Sequence, residues 1–508
     1  MKKNLWVYAL LWLLSGALFQ LAAQQIQPEQ RPFEEVKAKA GAGDAASQFE
    51  LGRRYDLGEG VAKDQVEAVK WFGKAAEQNY APAQNALGSC YATGEGVPKN
   101  PVEAVKWMRK AAEQDFAEAQ SNLGACYHRG EGVPKNPVEA AKWYRKAAEQ
   151  NHAAAQLNMG LRYDLGEGVA KDDAEAAKWF RKAADQNFAE AQYYLGLCYA
   201  NGKGVAKDHV EASKWYRKAA EQNFAEAQYN LGVSFYTGEG AAQDQVEAAK
   251  WFRKAADQNH AEAQYNLGAC YNNGEGVAKD QVEAVKWIRK AAEQDYAEAQ
   301  HNLGLRYDQG KGVPKDQAEA AKWFRKAADQ NYAEAQYYLA LSYATGNGVA
   351  KDQAEAVKWN RKAAEQNYAR AQYNLGVYYN NGEGVAKDFV EAVKWYRQAA
   401  EQNLAEAQAQ LAVCYYTGEG VPKDLLEAVK WNRKAAEQNF AKAQNNLGAC
   451  YINGEGVAKD LVEAYKWSLL AARQGHEGAR KQMTMLESEL TPAQRAQGQK
   501  RANDFKPR

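Results

Sequence analysis

The chain has almost no net charge, few histidines and no long apolar stretch beyond its first two dozen residues. Lys plus Arg (65) all but cancels Asp plus Glu (64), and no long like-charged block occurs. Nucleic acid and anionic membrane surfaces both call for a basic surplus, so neither fits as the main partner. After residue 25 every apolar run is broken by charge within a turn or two, so no membrane-spanning helix is expected there. The motifs Ser-x-x-Lys, Gly-x-Ser-x-Gly, His-Glu-x-x-His, Gly-x-x-x-x-Gly-Lys and Cys-x-x-Cys are all missing. Neither a catalytic set nor a cofactor or metal site is expected.

What is present is one sentence repeated. Ala189 to Phe224 reads AEAQYYLGLCYANGKGVAKDHVEASKWYRKAAEQNF, 36 residues, and Trp71, Trp107, Trp143, Trp179, Trp215, Trp251, Trp287, Trp323, Trp359, Trp395, Trp431 and Trp467 stand 36 apart. A fixed period of this length marks a solenoid, in which each unit buries its apolar face against its neighbours. The expected fold is an all-α solenoid of twelve 36-residue antiparallel helix pairs over residues 45–476, with capping helices at both ends.

Positions are counted from the first alanine of each repeat. Ala191, Leu195 and Tyr199 (positions 3, 7 and 11) share one stripe of a first helix, A. Position 8 is Gly196 here and Gly or Ala in every repeat, which predicts close approach of a neighbouring helix. Gly202 and Gly204, a Gly-x-Gly found in all twelve units, read as a helix terminator followed by a permissive linker. Without a third glycine or a preceding strand they do not form a phosphate cradle. Asp208 and Glu211 start helix B with the spacing of a reciprocal capping box. Ala212, Trp215, Tyr216, Ala219 and Ala220 form its apolar face, and Lys214, Arg217, Lys218 and Glu221 a solvated one. Asn223 at position 35 suits a left-handed turn closing helix B.

The ends differ. Met1-Lys2-Lys3, the apolar run Leu5 to Phe19 and Leu21-Ala22-Ala23 have the layout of a secretory signal peptide spanning residues 1–23, so export is expected. Residues 24–44 read as a linker and a capping half-repeat, a helix B lacking its A. Residues 477–508 read as a thirteenth helix A, a polar helix and a loose tail, Phe505 to Arg508.

The pattern Ala-x-Ala-Gln-x-x-Leu-Gly-x-x-Tyr-x-x-Gly-x-Gly-Val, then Asp-x-x-Glu-Ala-x-Lys-Trp-x-x-Lys-Ala-Ala, resembles the Sel-one-like repeat family, relatives of the tetratricopeptide repeats. The resemblance implies a right-handed superhelix, helix A on its concave wall, and a role as an adaptor holding other proteins, in bacteria often exported and tied to the envelope or host contact. It also carries a rival enzymatic reading, since some relatives are described as β-lactamase-like hydrolases, although the residues for that chemistry are missing here. A third reading is a binder of cell-wall glycan, favoured by many Tyr and Asn on one wall. The expectation is an exported, non-enzymatic scaffold for a protein or peptide partner.

Candidate residues follow from positions that vary. Position 5 carries Tyr193, Tyr229, Tyr265, Tyr337 and Tyr373; position 6 carries Tyr194 and Tyr338 together with Asn230, Asn266, Asn302 and Asn374, part of an amide ladder able to hold an extended backbone. The stripe either receives a peptide or packs between repeats, and both readings stay open at this point. Position 10 carries Arg54, Arg162 and Arg306, each two residues before Asp56, Asp164 or Asp308; a partly open site with a solvated Arg–Asp pair, or a ligand contact, is expected. Cys90, Cys126, Cys198, Cys270, Cys414 and Cys450 share position 10 too. Helices about 8–10 Å apart put equivalent residues beyond disulfide reach, so these read as plain small residues beside the core. His152, His260 and His476 stand at position 36, where other repeats place Phe, Tyr or Leu, and read as aromatic plugs.

Overall fold

The computed structural model describes residues 32–507, so the expected signal segment lies outside the described residues. The described chain forms 27 α-helices and no strand. It divides into two compact units between Gln243 and Asp244. Within each unit a helix packs mainly against those before and after it in sequence, the arrangement of an α-solenoid. In the fifth repeat helix A runs Ala189–Asn201 and helix B His209–Glu221.

The helix ends form where the sequence signals stand. Gly202, at φ 68°, donates its N–H to the Cys198 carbonyl and stops helix A. The Asp208 carboxylate accepts the Glu211 N–H at 2.9 Å to start helix B. Asn223, at φ 66°, takes the left-handed turn, and the Phe224 N–H reaches the Ala219 carbonyl at 3.2 Å. The reciprocal half of the capping box is not formed in the repeats. Glu211 turns outward to the Lys214 ammonium at 3.0 Å, and in the second unit Glu283 and Glu391 also accept the indole N–H of Trp287 and Trp395 at 2.8 and 2.9 Å. The backbone N–H that would complete the box is already taken, Asp208 donating to the Tyr199 carbonyl at 2.9 Å, so the carboxylate is left to a cation one turn along or an indole donor. Among the described helices the full box closes at Thr491–Gln494.

The core of each hairpin is Ala and Leu against one ring. Ala191, Leu195 and Ala219 are fully buried. A Cβ on Gly196 would stand 2.6 Å from the Tyr216 ring, so glycine at position 8 makes room for a large side chain at position 28. The two alanines obey the same rule in reverse: opposite Ala340 and Ala412 stand the small, buried Asn360 and Asn432. Gly204 is more than permissive. At φ 70° its loop lies on the preceding repeat, where a Cβ would overlap the Asp173 carbonyl.

Ten of the twelve repeat tryptophans are buried, while Trp71 and Trp107, in the first two repeats, are half-buried. Trp215 lies between two cations, Lys218 of its own helix 3.9 Å from the ring centroid and Arg181 of the preceding repeat 5.1 Å away. Arg181 also donates to the Tyr199 hydroxyl, as Arg145 does to Tyr163 at 2.7 Å. A polar spine runs beside this core. Gln192 donates to the Ala184 carbonyl and to Asn187, and Gln222 donates to Gln192 at 2.8 Å, so buried glutamines stitch each repeat to the one before.

Each end is closed by an altered unit. Phe33–Gly41 places Val36 and Ala40 on Leu51. At the other end Glu477–Glu489 continues the stack as a lone helix A, and Pro492–Asn503 lies along helix B of the twelfth repeat, Leu461–Arg473. The tail beyond it is not loose at Phe505, whose ring stands edge-on to Trp467 at 5.5 Å. Arg501 anchors the same helix on Glu463 at 2.6 Å.

Candidate partner-binding surface

Helix A turns positions 3, 4, 7, 8 and 10 inward, which leaves positions 2, 5, 6, 9 and 12 partly uncovered in most repeats. Tyr193, Tyr194, Tyr229, Asn230, Tyr265, Asn266, Asn302, Tyr337, Tyr338, Tyr373 and Asn374 are all half-buried. The stripe is therefore neither sealed between repeats nor freely solvated. Its rings are held by neighbours: Tyr194 stacks on Phe180 and Tyr338 on Phe324, both at 5.3 Å between centroids. Tyr193 meets Phe224 at 5.4 Å, Tyr337 meets Tyr368 at 5.4 Å, and Tyr373 meets Tyr396 at 5.9 Å. Such rings present fixed edges at little entropic cost.

The amide ladder is partly spent inside the wall. Asn302 donates to the Tyr265 hydroxyl at 2.9 Å and Asn122 to Asn85 at 3.0 Å, in each case joining position 6 to position 5 of the preceding repeat. Glu298 accepts hydroxyl protons from Tyr265 and Tyr296, both at 3.1 Å. Position 2 adds carboxylates that the residue reading passed over. Glu190 is pushed up to about 7, by burial first and then by the charge of Glu226.

The three arginines depart from expectation. Arg162 is 3% exposed and Arg306 9%, so neither forms an openly solvated pair. Arg162 reaches Glu167 at 3.2 Å and His128 Nδ1 at 2.5 Å, while Asp164 meets Lys203 at 3.6 Å. Burial, with Arg162 adding to it, holds the His128 imidazole down near 4, so it stays neutral. Arg54 is partly buried and binds Glu50 at 3.0 Å, one turn back on its own helix. Arg306 donates to Gln281 at 2.5 Å. The side chain at position 10 points between helices, so its partners come from the turn before, the loop that follows or the preceding repeat rather than from the residue two places on.

The six cysteines are free thiols. His152, His260 and His476 do more than fill an aromatic site: each ring Nδ1 accepts the N–H three residues on, capping the next helix A. Among the described residues no group of three or more His, Cys, Asp and Glu is placed to hold a metal ion, and no helix is long and apolar enough to cross a membrane.

The fold and this surface define a helix-pair repeat protein of the kind that serves protein–protein contact, related to the tetratricopeptide repeats. The chain belongs to the Sel1 repeat family, whose profile matches twelve successive segments from 45–80 to 441–476. It is similar to a protective antigen of uropathogenic Escherichia coli displaying an SLR fold, at 34% identity over 94% of each chain with a TM-score of 0.67. It is also similar to a Sel1 repeat protein from Oxalobacter formigenes, at 33% identity over 62% of this chain and 94% of that one, TM-score 0.48. No curated protein matches it.

Proposed function

We propose that this chain is an exported, non-enzymatic scaffold that holds a protein or peptide segment along the helix A faces of its repeats. The observation that supports this most directly is the half-buried stripe at positions 5 and 6, where tyrosines locked by Phe180, Phe324 and Phe224 still offer an accessible side. Rigid aromatic area beside small apolar residues such as Leu197 and Val233 is the composition of a recognition surface. Export is supported by the first 23 residues of the sequence alone.

A photo-crosslinking amino acid placed at Tyr265 or Tyr337 in the intact cell is expected to capture a protein, while one at the solvated helix B residue Lys286 captures none. Capture from Lys286 alone, or of isolated cell-wall sacculi in preference to any protein, overturns the reading. Fractionation tests the export half separately: removal of residues 2–23 is expected to retain the chain in the cytoplasm.

A further inference from the structure

Three repeats carry arginine at position 10, and the chain supplies its own comparison between them. The first two are neutralised from within. Arg54 has Glu50, at position 6, at 3.0 Å. Arg162 has Glu167, at position 15, at 3.2 Å. One backbone bond sets the second partner in place, because the position 15 N–H donates to the position 10 carbonyl in all three repeats, at 3.0 Å from Glu59 and Glu167 and at 3.1 Å from Lys311.

In the eighth repeat both partners are exchanged. Position 6 is Asn302 and position 15 is Lys311, an added cation where the fourth repeat has a carboxylate. Arg306 is nevertheless nine-tenths buried, at 9% exposure, and its one hydrogen bond goes to a neutral oxygen, Oε1 of Gln281. The nearby carboxylates do not neutralise it. Glu298 takes the hydroxyls of Tyr265 and Tyr296, and neither Glu298 nor Asp308 comes within ion-pair distance of Arg306. Burial accordingly lowers the guanidinium below its ordinary value, and Tyr265 opposes this only in part. Arg162 Nε is sealed away from solvent without an acceptor, whereas no unbonded nitrogen of Arg306 is sealed, so its remaining N–H groups keep part of the small surface the residue exposes. A guanidinium held in low dielectric without a counter-ion binds a planar oxyanion in paired, charge-assisted hydrogen bonds.

We propose that Arg306 is a binding site for a carboxylate of the held segment, supplied by its C-terminus or by an Asp or Glu side chain. The proposal takes from the scaffold reading only the source of that carboxylate. The internal Glu that repeats one and four have and the eighth lacks is replaced by a carboxylate from the partner, which fixes the register of the segment where it passes the eighth repeat.

The test uses the full chain with arginine labelled in its side-chain nitrogens, the Arg306 Nε–H resonance being assigned by its loss in Arg306→Lys. The probes are acetate, inorganic phosphate, and two short capped peptides, one with a free C-terminal carboxylate and no acidic residue, the other amidated with a single Glu. Carboxylate probes are expected to shift the resonance saturably, and the two peptides tell the terminal source from the side-chain source. Asn302→Glu and Lys311→Glu rebuild the arrangements of repeats one and four, so they are expected to keep the fold and weaken the probe by roughly tenfold or more. No shift with any carboxylate, an undiminished shift in both variants, or phosphate preferred by more than about tenfold overturns the assignment. Carboxylate binding at Arg306 with crosslinks arising only from helix B would instead sink the scaffold reading and leave this site standing.

Discussion

Positions 8 and 28 make one steric unit, and exchanging them in a single repeat tests the packing rule quantitatively. In the eighth repeat Gly304 faces Phe324, where an added Cβ would stand 2.6 Å from the ring; in the ninth, Ala340 faces Asn360. Asn360 donates to the Ala356 carbonyl at 3.1 Å, but its Oδ1 is sealed without a partner. Asn360→Phe alone drives a ring into the Ala340 methyl and is expected to cost about 1–3 kcal/mol. Ala340→Gly alone removes a buried methyl and a helix former, about 1.5–2 kcal/mol together. The double variant recreates the eighth repeat. It gains roughly 1.5–3 kcal/mol of ring burial and relieves an unpaired oxygen worth about 1–3, against about 1 for glycine in the helix. A coupling of at least about 3 kcal/mol is therefore expected between two substitutions that each destabilise. Hydrogen exchange over helix Ala333–Thr345 in the full chain reads it locally, where a whole-chain melt of a repeat array would not. Additivity within about 0.5 kcal/mol refutes the steric pairing.

Gly204→Ala is expected to loosen the fourth and fifth repeats by about 2–4 kcal/mol, and Gly202→Ala by only about 1–2, because both residues have positive φ but only Gly204 also touches the Asp173 carbonyl; equal protection losses in hydrogen exchange would remove the inter-repeat role. Glu190 titrates near 7 when folded against an ordinary 4.5, so folding is unpenalised while the group is protonated in both states, and stability falls as pH rises from about 4.5 to 7. Glu190→Gln is expected to flatten the thermal melting profile across that window, and an unchanged profile counts against the buried carboxyl. Burial pushes the Cys270 and Cys450 thiols up to about 11 and Cys90 up to about 12, so a thiol reagent at neutral pH is expected to modify the native chain slowly and all six residues after denaturation. Deleting residues 491–508 removes Arg501 from Glu463 and Phe505 from Trp467, with an expected local loss of about 2–4 kcal/mol and a red shift in tryptophan emission.

The architecture was legible in the sequence because its signals are local and repeated twelvefold: Gly202 and Asn223 need positive φ wherever they stand, and Asp208 needs only its own helix start. What lay between repeats was harder to read. The Gly204 contact with Asp173, the Gln222 bond to Asn187 and the Arg181 bond to Tyr199 link residues 31, 35 and 18 places apart, and position within one unit says nothing of them. The Ala340 and Asn360 exchange was visible as a paired departure from the repeat, and reading positions 8 and 28 together would have found it. The tyrosine stripe proves half-buried, between the two states that spacing left open, and the arginines have other surroundings than spacing suggests: adjacency to Asp164 points to a solvated pair, whereas the helix carries Arg162 inward to Glu167. Geometry across a loop decided that, and spacing alone does not encode it.

At position 8 of the lone final helix A stands Thr484, solvent-exposed, its hydroxyl turned back to the Arg480 carbonyl at 3.2 Å. Every full repeat has glycine or alanine there, since the next helix B must nest against it. A branched side chain at that one place leaves no room for the large residue of a helix B folding back on it, so the thirteenth unit stays a helix A without its partner. Pro492–Asn503 lies instead on helix B of the twelfth repeat, so the array is closed by a helix drawn from outside its own pattern.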